Sequence, residues 1–266
     1  MWIILIWIIS TLCYMPLYFD KLGYEVPNTL IQMKYLFVVV PAIFSLICVK
    51  RRTSIKKWIY NLFVQKMEFE AFAVCIVIAL CGIVCTSILN GDIWNEASLL
   101  FNTLYLFLMA TLEEIAWRGF CLESILKKTK KFAILVVSLE WAIWHIPMWM
   151  IRNSLELKEI TFWLVYTVFV GIILGKCMVW YKNILVPVML HTIFNLCFLM
   201  TIRINVIVIL CVLVGVLIFE GVKGKRNAMS FLISGKYEFE VCAIMKIMIF
   251  IEGTTFYTRF PFYLCI

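Results

Sequence analysis

The chain has 266 residues, 64% of them hydrophobic and 15% charged, with a mean hydropathy of +1.00 and a formal net charge of +8. A soluble domain carries about 45–50% apolar and about 25% charged residues, so the composition excludes one and describes a polytopic membrane protein. The apolar stretches are continuous and helix-length, not alternating ten-residue segments, which excludes a transmembrane barrel and predicts an all-α bundle of about eight transmembrane helices.

At about 20 apolar residues per span, the predicted spans lie near 2–19, 29–49, 70–89, 99–120, 132–151, 160–180, 184–200 and 206–222. The first lacks a basic n-region and a small-residue cleavage site, and is expected to be a retained helix. Pro41, Pro147 and Pro187 are expected to mark kinks or helix starts. Residues 1–226 are expected to form one bundle without internal repeats. The tail 227–266 is apolar over Val241–Ile251, too short to span, and receives no function.

The basic residues sit between the apolar runs, as topology signals do, and no polar domain is left to present a nucleic-acid groove. Lys50, Arg51, Arg52, Lys56 and Lys57 follow span two; Lys127, Lys128, Lys130 and Lys131 follow span four. Lys182 follows span six, and Lys223, Lys225 and Arg226 follow span eight. The other loops hold Asp20, Glu25, Asp92, Glu96, Glu156 and Glu159. The positive-inside rule then puts the N-terminus in the cytoplasm of a multi-pass plasma-membrane protein, with composition of bacterial type. The eleven cysteines show no CxxC pair and fall largely in apolar runs, as small hydrophobes do.

Span four ends in TLEEIAWRGF, with Glu113, Glu114 and Arg118 in an apolar run. Ionisable residues at membrane depth mark function by default. Glu114 and Arg118 are i and i+4 and share a face, acid first, as a mutually neutralising pair. Glu113 is rotated by about 100° from Glu114, so it faces a different partner and is free to act as general base. The only two histidines, His145 and His191, lie in later apolar runs. His191 and Asn195 share a face as two donors suited to an oxyanion, and Trp141 stands one turn before His145 as a wall beneath the imidazole. From the span ends, Glu113 and His191 fall about 10 Å deep and His145 about 20 Å, a mismatch that a small boundary shift removes. Glu140 stands apart and reads as structural. Trp117, Trp144 and Trp149 read as wall and belt residues.

These residues resemble three motifs of the CAAX protease and bacteriocin-processing (CPBP, Abi) family: EExxxR at Glu113-Glu114-Ile-Ala-Trp-Arg118, FxxxH at Trp141–His145 and HxxxN at His191–Asn195. They occur in order on separate predicted helices, and the resemblance covers roughly 95–222. It implies an intramembrane endopeptidase in which Glu113 activates water with His145, and His191 with Asn195 stabilises the oxyanion. Glu114 and Arg118 would support the motif-one helix. Motif two departs from the family in carrying Trp141 for phenylalanine, which keeps the apolar wall and narrows the pocket.

A metal-free route is favoured, since Asn195 one turn from His191 suits an oxyanion hole. The alternative is zinc held by Glu113, His145 and His191 with water as fourth ligand. The expected partners are a peptide or membrane-protein substrate and membrane lipid. Two other readings compete: a non-enzymatic bacteriocin-immunity or scaffold protein, and a transporter or proton relay, against which the lack of repeats weighs.

Overall fold

A computed structural model describes residues 2–65, 96–129, 132–152 and 154–200, and all regular structure among them is helical. Helix α1 is Trp2–Lys21. Helix α2 runs over Asn28–Lys50, tightening to 3-10 geometry over Gln32–Tyr35. A short α3 covers Ile55–Phe63. Helix α4 begins as Glu96–Glu114, opens into wider π turns over Ile115–Leu122 and closes with Glu123–Leu126. Helix α5 is Ala133–Trp144, followed after Pro147 by π turns over Met148–Arg152. Helices α6, Leu157–Tyr181, and α7, Leu185–Met200, complete the described set.

Four of these helices are long and apolar enough to cross a membrane, over Ile3–Lys21, Asn28–Lys50, Ala133–Ile151 and Leu157–Tyr181. They match the first, second, fifth and sixth expected spans. The fourth lies in α4, where Glu113, Glu114 and Arg118 interrupt the apolar run. The seventh corresponds to α7, whose apolar part Leu185–Leu196 is shorter. The expected spans 70–89 and 206–222 and the tail 227–266 fall outside the described residues, so the count of eight rests on sequence alone.

Outward faces are apolar where lipid is the solvent. Leu100, Leu104 and Leu108, one turn apart on α4, are all exposed. The inward face changes character at Ala110, which is buried, and the acid pair follows directly.

Helix α3 replaces what the sequence presents as loop. Trp58 and Leu62 are i and i+4 and bury against α4, while Lys56 and Lys57 stay exposed. The Leu62 side chain packs directly on Gly119, where an added Cβ would come 3.0 Å from Leu62 Cδ1 and push that methyl aside by a few tenths of an ångström. Trp58 Nε1 donates to Glu123 Oε2 at 3.4 Å. Buried Asn183, after α6, donates through Nδ2 to the Phe63 and Gln65 carbonyls and accepts from the Leu185 amide. The ends of α3, α4 and α6 are thereby tied together at one end of the bundle. At the other, Lys21 Nζ at the end of α1 donates to Ser154 Oγ between α5 and α6 at 2.8 Å.

Helix α5 packs most extensively on α6. Gly171 and Gly175, one turn apart on α6, face Ser138 and Ile134 on α5. A Cβ on Gly171 would meet Ser138 Cβ at 2.8 Å, and one on Gly175 would meet Ile134 Cγ2 at 2.8 Å. In lipid no hydrophobic force brings helices together, and small residues four apart let backbones approach closely enough for dispersion to act. Ser138 bonds its own Ile134 carbonyl at 2.7 Å, so its hydroxyl is satisfied inside that contact.

An aromatic stack holds α1, α2, α4 and α5 together. Phe37 stacks on Trp144 with centroids 3.9 Å apart, Tyr14 meets Phe37 edge-on at 5.0 Å, and Trp117 tilts onto Trp144 at 5.7 Å. Such pairs add about 0.5–1.5 kcal/mol beyond their buried area.

Candidate active site

The two glutamates at the end of α4's first section point to different neighbours, as a rotation of about 100° per residue requires. Glu114 is fully buried. Its Oε1 accepts from Arg118 Nη1 at 2.9 Å, one turn on, and pairs with His191 Nδ1 of α7 at 2.9 Å. Arg118 is 1% exposed and has two further partners. Its Nη2 donates to the Gly171 carbonyl at 3.3 Å, and its guanidinium lies 4.4 Å from the Trp141 ring centroid. Each contact offsets part of the cost of burying that charge.

The ion pair was expected; His191 on the same oxygen was not. Spacing within one helix reveals i, i+4 partners, whereas a bond between residues 114 and 191 depends on how α4 and α7 dock. Gly171 was missed as well. Its signal is the GxxxG of Gly171-Ile-Ile-Leu-Gly175 in α6, which lets the backbone carbonyl come close enough for Arg118.

Glu113 faces α5. Its Oε2 accepts the Trp141 indole N–H at 2.8 Å and lies 3.8 Å from His145 Nε2. The His145 Nδ1 is 2.7 Å from the Trp141 carbonyl. A carbonyl only accepts, so Nδ1 carries the proton, and in neutral imidazole Nε2 is the lone pair facing Glu113. The ring is clamped by aromatics, stacking on Trp149 at 5.6 Å and meeting Trp141 edge-on at 5.0 Å. His145 thus reaches the same level as Glu113, and the expected difference in depth disappears. The 3-10-like bond from the His145 amide to the Ala142 carbonyl ends the regular helix there, just before Pro147.

His191 meets Trp141 edge-on at 5.2 Å, so Trp141 stands between the two histidines. A cavity of about 110 Å³ opens beside them, lined among others by Trp141, His145, Thr167, His191, Phe194 and Asn195. Asn195 forms no hydrogen bond among the described residues and keeps its amide for a guest. Glu113 is 6% exposed and stands behind Trp141 and His145, not in the cavity wall. The site therefore brings together the residues of the three sequence motifs: Glu113, Glu114, Arg118, Trp141, His145, His191 and Asn195.

Glu113, His145 and His191 are the set from which a zinc ion would be held. As placed, Glu113 Oε2 accepts from the indole, and the Nδ1 atoms of His145 and His191 are held by the Trp141 carbonyl and Glu114, which leaves both Nε2 atoms open. Among the described residues no group of three His, Cys, Asp or Glu side chains is arranged to hold a metal ion.

Glu140 lies apart from this site. It lines a second, apolar cavity of about 260 Å³ with Ile3, Ile6, Trp7, Trp117 and Trp144.

Residues 95–197 match the family model of type II CAAX prenyl endopeptidase Rce1-like proteins. Over 100 residues the chain is 29% identical to a CAAX prenyl protease 2 of Methanococcus maripaludis, a match covering 34% of this chain and 37% of that protein. The chain thus matches little more than a third of the length of that relative. All seven site residues fall inside the segment matched by the family model.

Proposed function

This chain is related over residues 95–197 to the type II CAAX prenyl endopeptidases, and on that premise we infer that it hydrolyses peptide bonds within the membrane, in a cavity open to the cytoplasmic side. The observation that carries the reading is the gap between Glu113 Oε2 and His145 Nε2, 3.8 Å wide and flanked by acceptors on both sides. A water about 2.8 Å from each would donate one hydrogen to the carboxylate and one to the imidazole, which is the arrangement that activates it.

The step balances without a further reagent. The water oxygen attacks the scissile carbonyl carbon while its proton passes to Glu113. The carbonyl oxygen becomes an oxyanion, met by the Asn195 amide and by His191 Nε2, a contact that needs the doubly protonated ring. The intermediate collapses, the C–N bond breaks, and the proton held by Glu113 moves to the leaving amine. Each oxyanion donor in such a site contributes roughly 10²–10³ in kcat. Glu114 holds His191 in place, and Arg118 balances the charge of Glu114.

The cytoplasmic assignment is supported by Lys50 at the end of α2 with Arg51 and Arg52 after it, Lys127 and Lys128 after α4, and Lys182 after α6. These belong to the loops that α3 and Asn183 gather at one end. A metal-free route is favoured because Asn195, one turn from His191, supplies a second donor suited to an oxyanion hole.

The test is cleavage of a fluorogenic peptide ending in a prenylated Cys-aliphatic-aliphatic-X sequence by purified protein in lipid vesicles, followed by peptidomics of cells carrying wild-type or Glu113→Ala protein. Loss of cleavage in a folded Glu113→Ala variant is expected, and undiminished cleavage would sink the reading. A bacteriocin-immunity or scaffold role without hydrolysis would instead keep its protective effect in Glu113→Ala.

A further inference from the structure

Trp141 touches more of this site than any wall residue needs to. Its indole N–H donates to Glu113 Oε2 at 2.8 Å, its carbonyl lies 2.7 Å from His145 Nδ1, its face receives the Arg118 guanidinium at 4.4 Å, and its ring meets both histidine rings edge-on. The indole N–H is the sole hydrogen bond to Glu113 among the described residues. Arg118, on the same helix, spends its direct bonds on Glu114 and the Gly171 carbonyl. A buried carboxylate without a donor is costly and tends to turn or take up a proton. The phenylalanine that the family motif carries at this position has no N–H to offer.

We propose that Trp141 is a positioning residue whose indole N–H holds the Glu113 carboxylate in place, so that Glu113 and His145 face one water. The proposal rests on Glu113 being the base of the endopeptidase reading. The geometry gives the N–H a specific consequence. With one lone pair of Oε2 engaged by the indole, the carboxylate cannot rotate freely, and the atom nearest His145 remains the one that faces it at 3.8 Å. The backbone of the same residue fixes the His145 tautomer, so one residue orients both acceptors of the water. The carbonyl bond is available to any residue at this position, whereas a side chain acting only as an apolar wall would not need the indole bond.

The test separates the N–H from the shape of the ring. In full-length protein in lipid vesicles, Trp141→Phe removes the N–H and part of the bulk, and replacing Trp141 by 3-benzothienylalanine exchanges only the N–H for sulfur. Against the fluorogenic prenylated peptide, kcat is expected to fall about 10- to 100-fold in both, the worth of a charge-assisted hydrogen bond, with KM within about twofold. The infrared N–H band of Trp141, assigned by its absence from Trp141→Phe, is expected to move towards the weakly bonded position in Glu113→Leu. Full kcat in the benzothienylalanine protein overturns the proposal, as does a rise in KM alone, which would make Trp141 a substrate wall. An N–H band indifferent to Glu113→Leu overturns it equally. If wild-type protein cleaves no peptide, the endopeptidase reading fails and the catalytic proposal with it, whereas activity without an effect of the sulfur isostere defeats the proposal alone.

Discussion

The Nδ1 of His191 lies 2.9 Å from Glu114 Oε1, the same oxygen that holds Arg118. A carboxylate on α4 therefore sets the orientation of the imidazole on α7. Glu114 and Arg118 do more than neutralise each other: they connect the acid motif on α4 to the histidine that lines the cavity. The ion pair and the cavity are one network.

That network gives Glu114→Gln a defined cost. The amide keeps the shape and one acceptor but leaves the buried Arg118 charge uncompensated, which is worth about 3–5 kcal/mol when a buried pair is broken. A lower melting temperature in detergent is the expected result. The double variant Glu114→Gln/Arg118→Met is expected to regain part of the loss. Strict additivity in that cycle would show that the two side chains are not coupled.

Asn195→Ala is expected to behave differently. The Asn195 amide lines the cavity and has no partner among the described residues, so its removal leaves the fold intact. On the proposed mechanism kcat falls roughly 10²–10³-fold with little change in KM, as loss of one oxyanion donor does. Steady-state kinetics at an unchanged melting temperature make the comparison, and an unaltered kcat would remove Asn195 from the oxyanion hole.

Gly171→Ala and Gly175→Ala test the α5–α6 contact. At Gly171 the new methyl meets Ser138 Cβ at 2.8 Å and its Cα at 3.1 Å, atoms fixed to the α5 backbone. At Gly175 it meets Ile134 Cγ2, which can turn away, at 2.8 Å. Overpacking costs about 1–3 kcal/mol where the structure cannot yield. The larger loss of thermal stability is expected for Gly171→Ala, together with lower activity because the Gly171 carbonyl that Arg118 binds is displaced. Equal stability of the two variants would contradict this packing.

Metal removal provides a fourth measurement. On the metal-free route, hydrolysis is expected to continue after exhaustive dialysis against chelators. Elemental analysis of the active protein is expected to find no stoichiometric zinc. One zinc per chain whose removal abolishes the activity would overturn the metal-free route.

Much of this molecule was legible because a bilayer is a demanding solvent. In lipid every backbone polar group has to be satisfied within its own segment, so long apolar runs become helices, and 3–21, 28–50, 133–151 and 157–181 follow nearly residue by residue. The same demand makes charge conspicuous, which is why Glu113, Glu114, Arg118, His145 and His191 stood out in the chain. Helix α3 escaped notice because nine residues with Lys56 and Lys57 among them resemble a cytoplasmic loop until Trp58 and Leu62 find Gly119.

The amino-acid sequence by itself determined the helical class, the spans just named, the Glu114–Arg118 pair and the divergence of Glu113 from Glu114, since all follow from composition and from the rotation per residue of a single helix. Only the tertiary structure decided that His191 joins Glu114 and not Glu113, that Arg118 reaches the Gly171 carbonyl, and that Trp141 bonds the glutamate it was expected merely to shield. Those contacts join residues 28 to 77 positions apart in the chain. Their distances depend on how α4, α5, α6 and α7 pack, and periodicity along one helix carries no information about the angle at which it meets another.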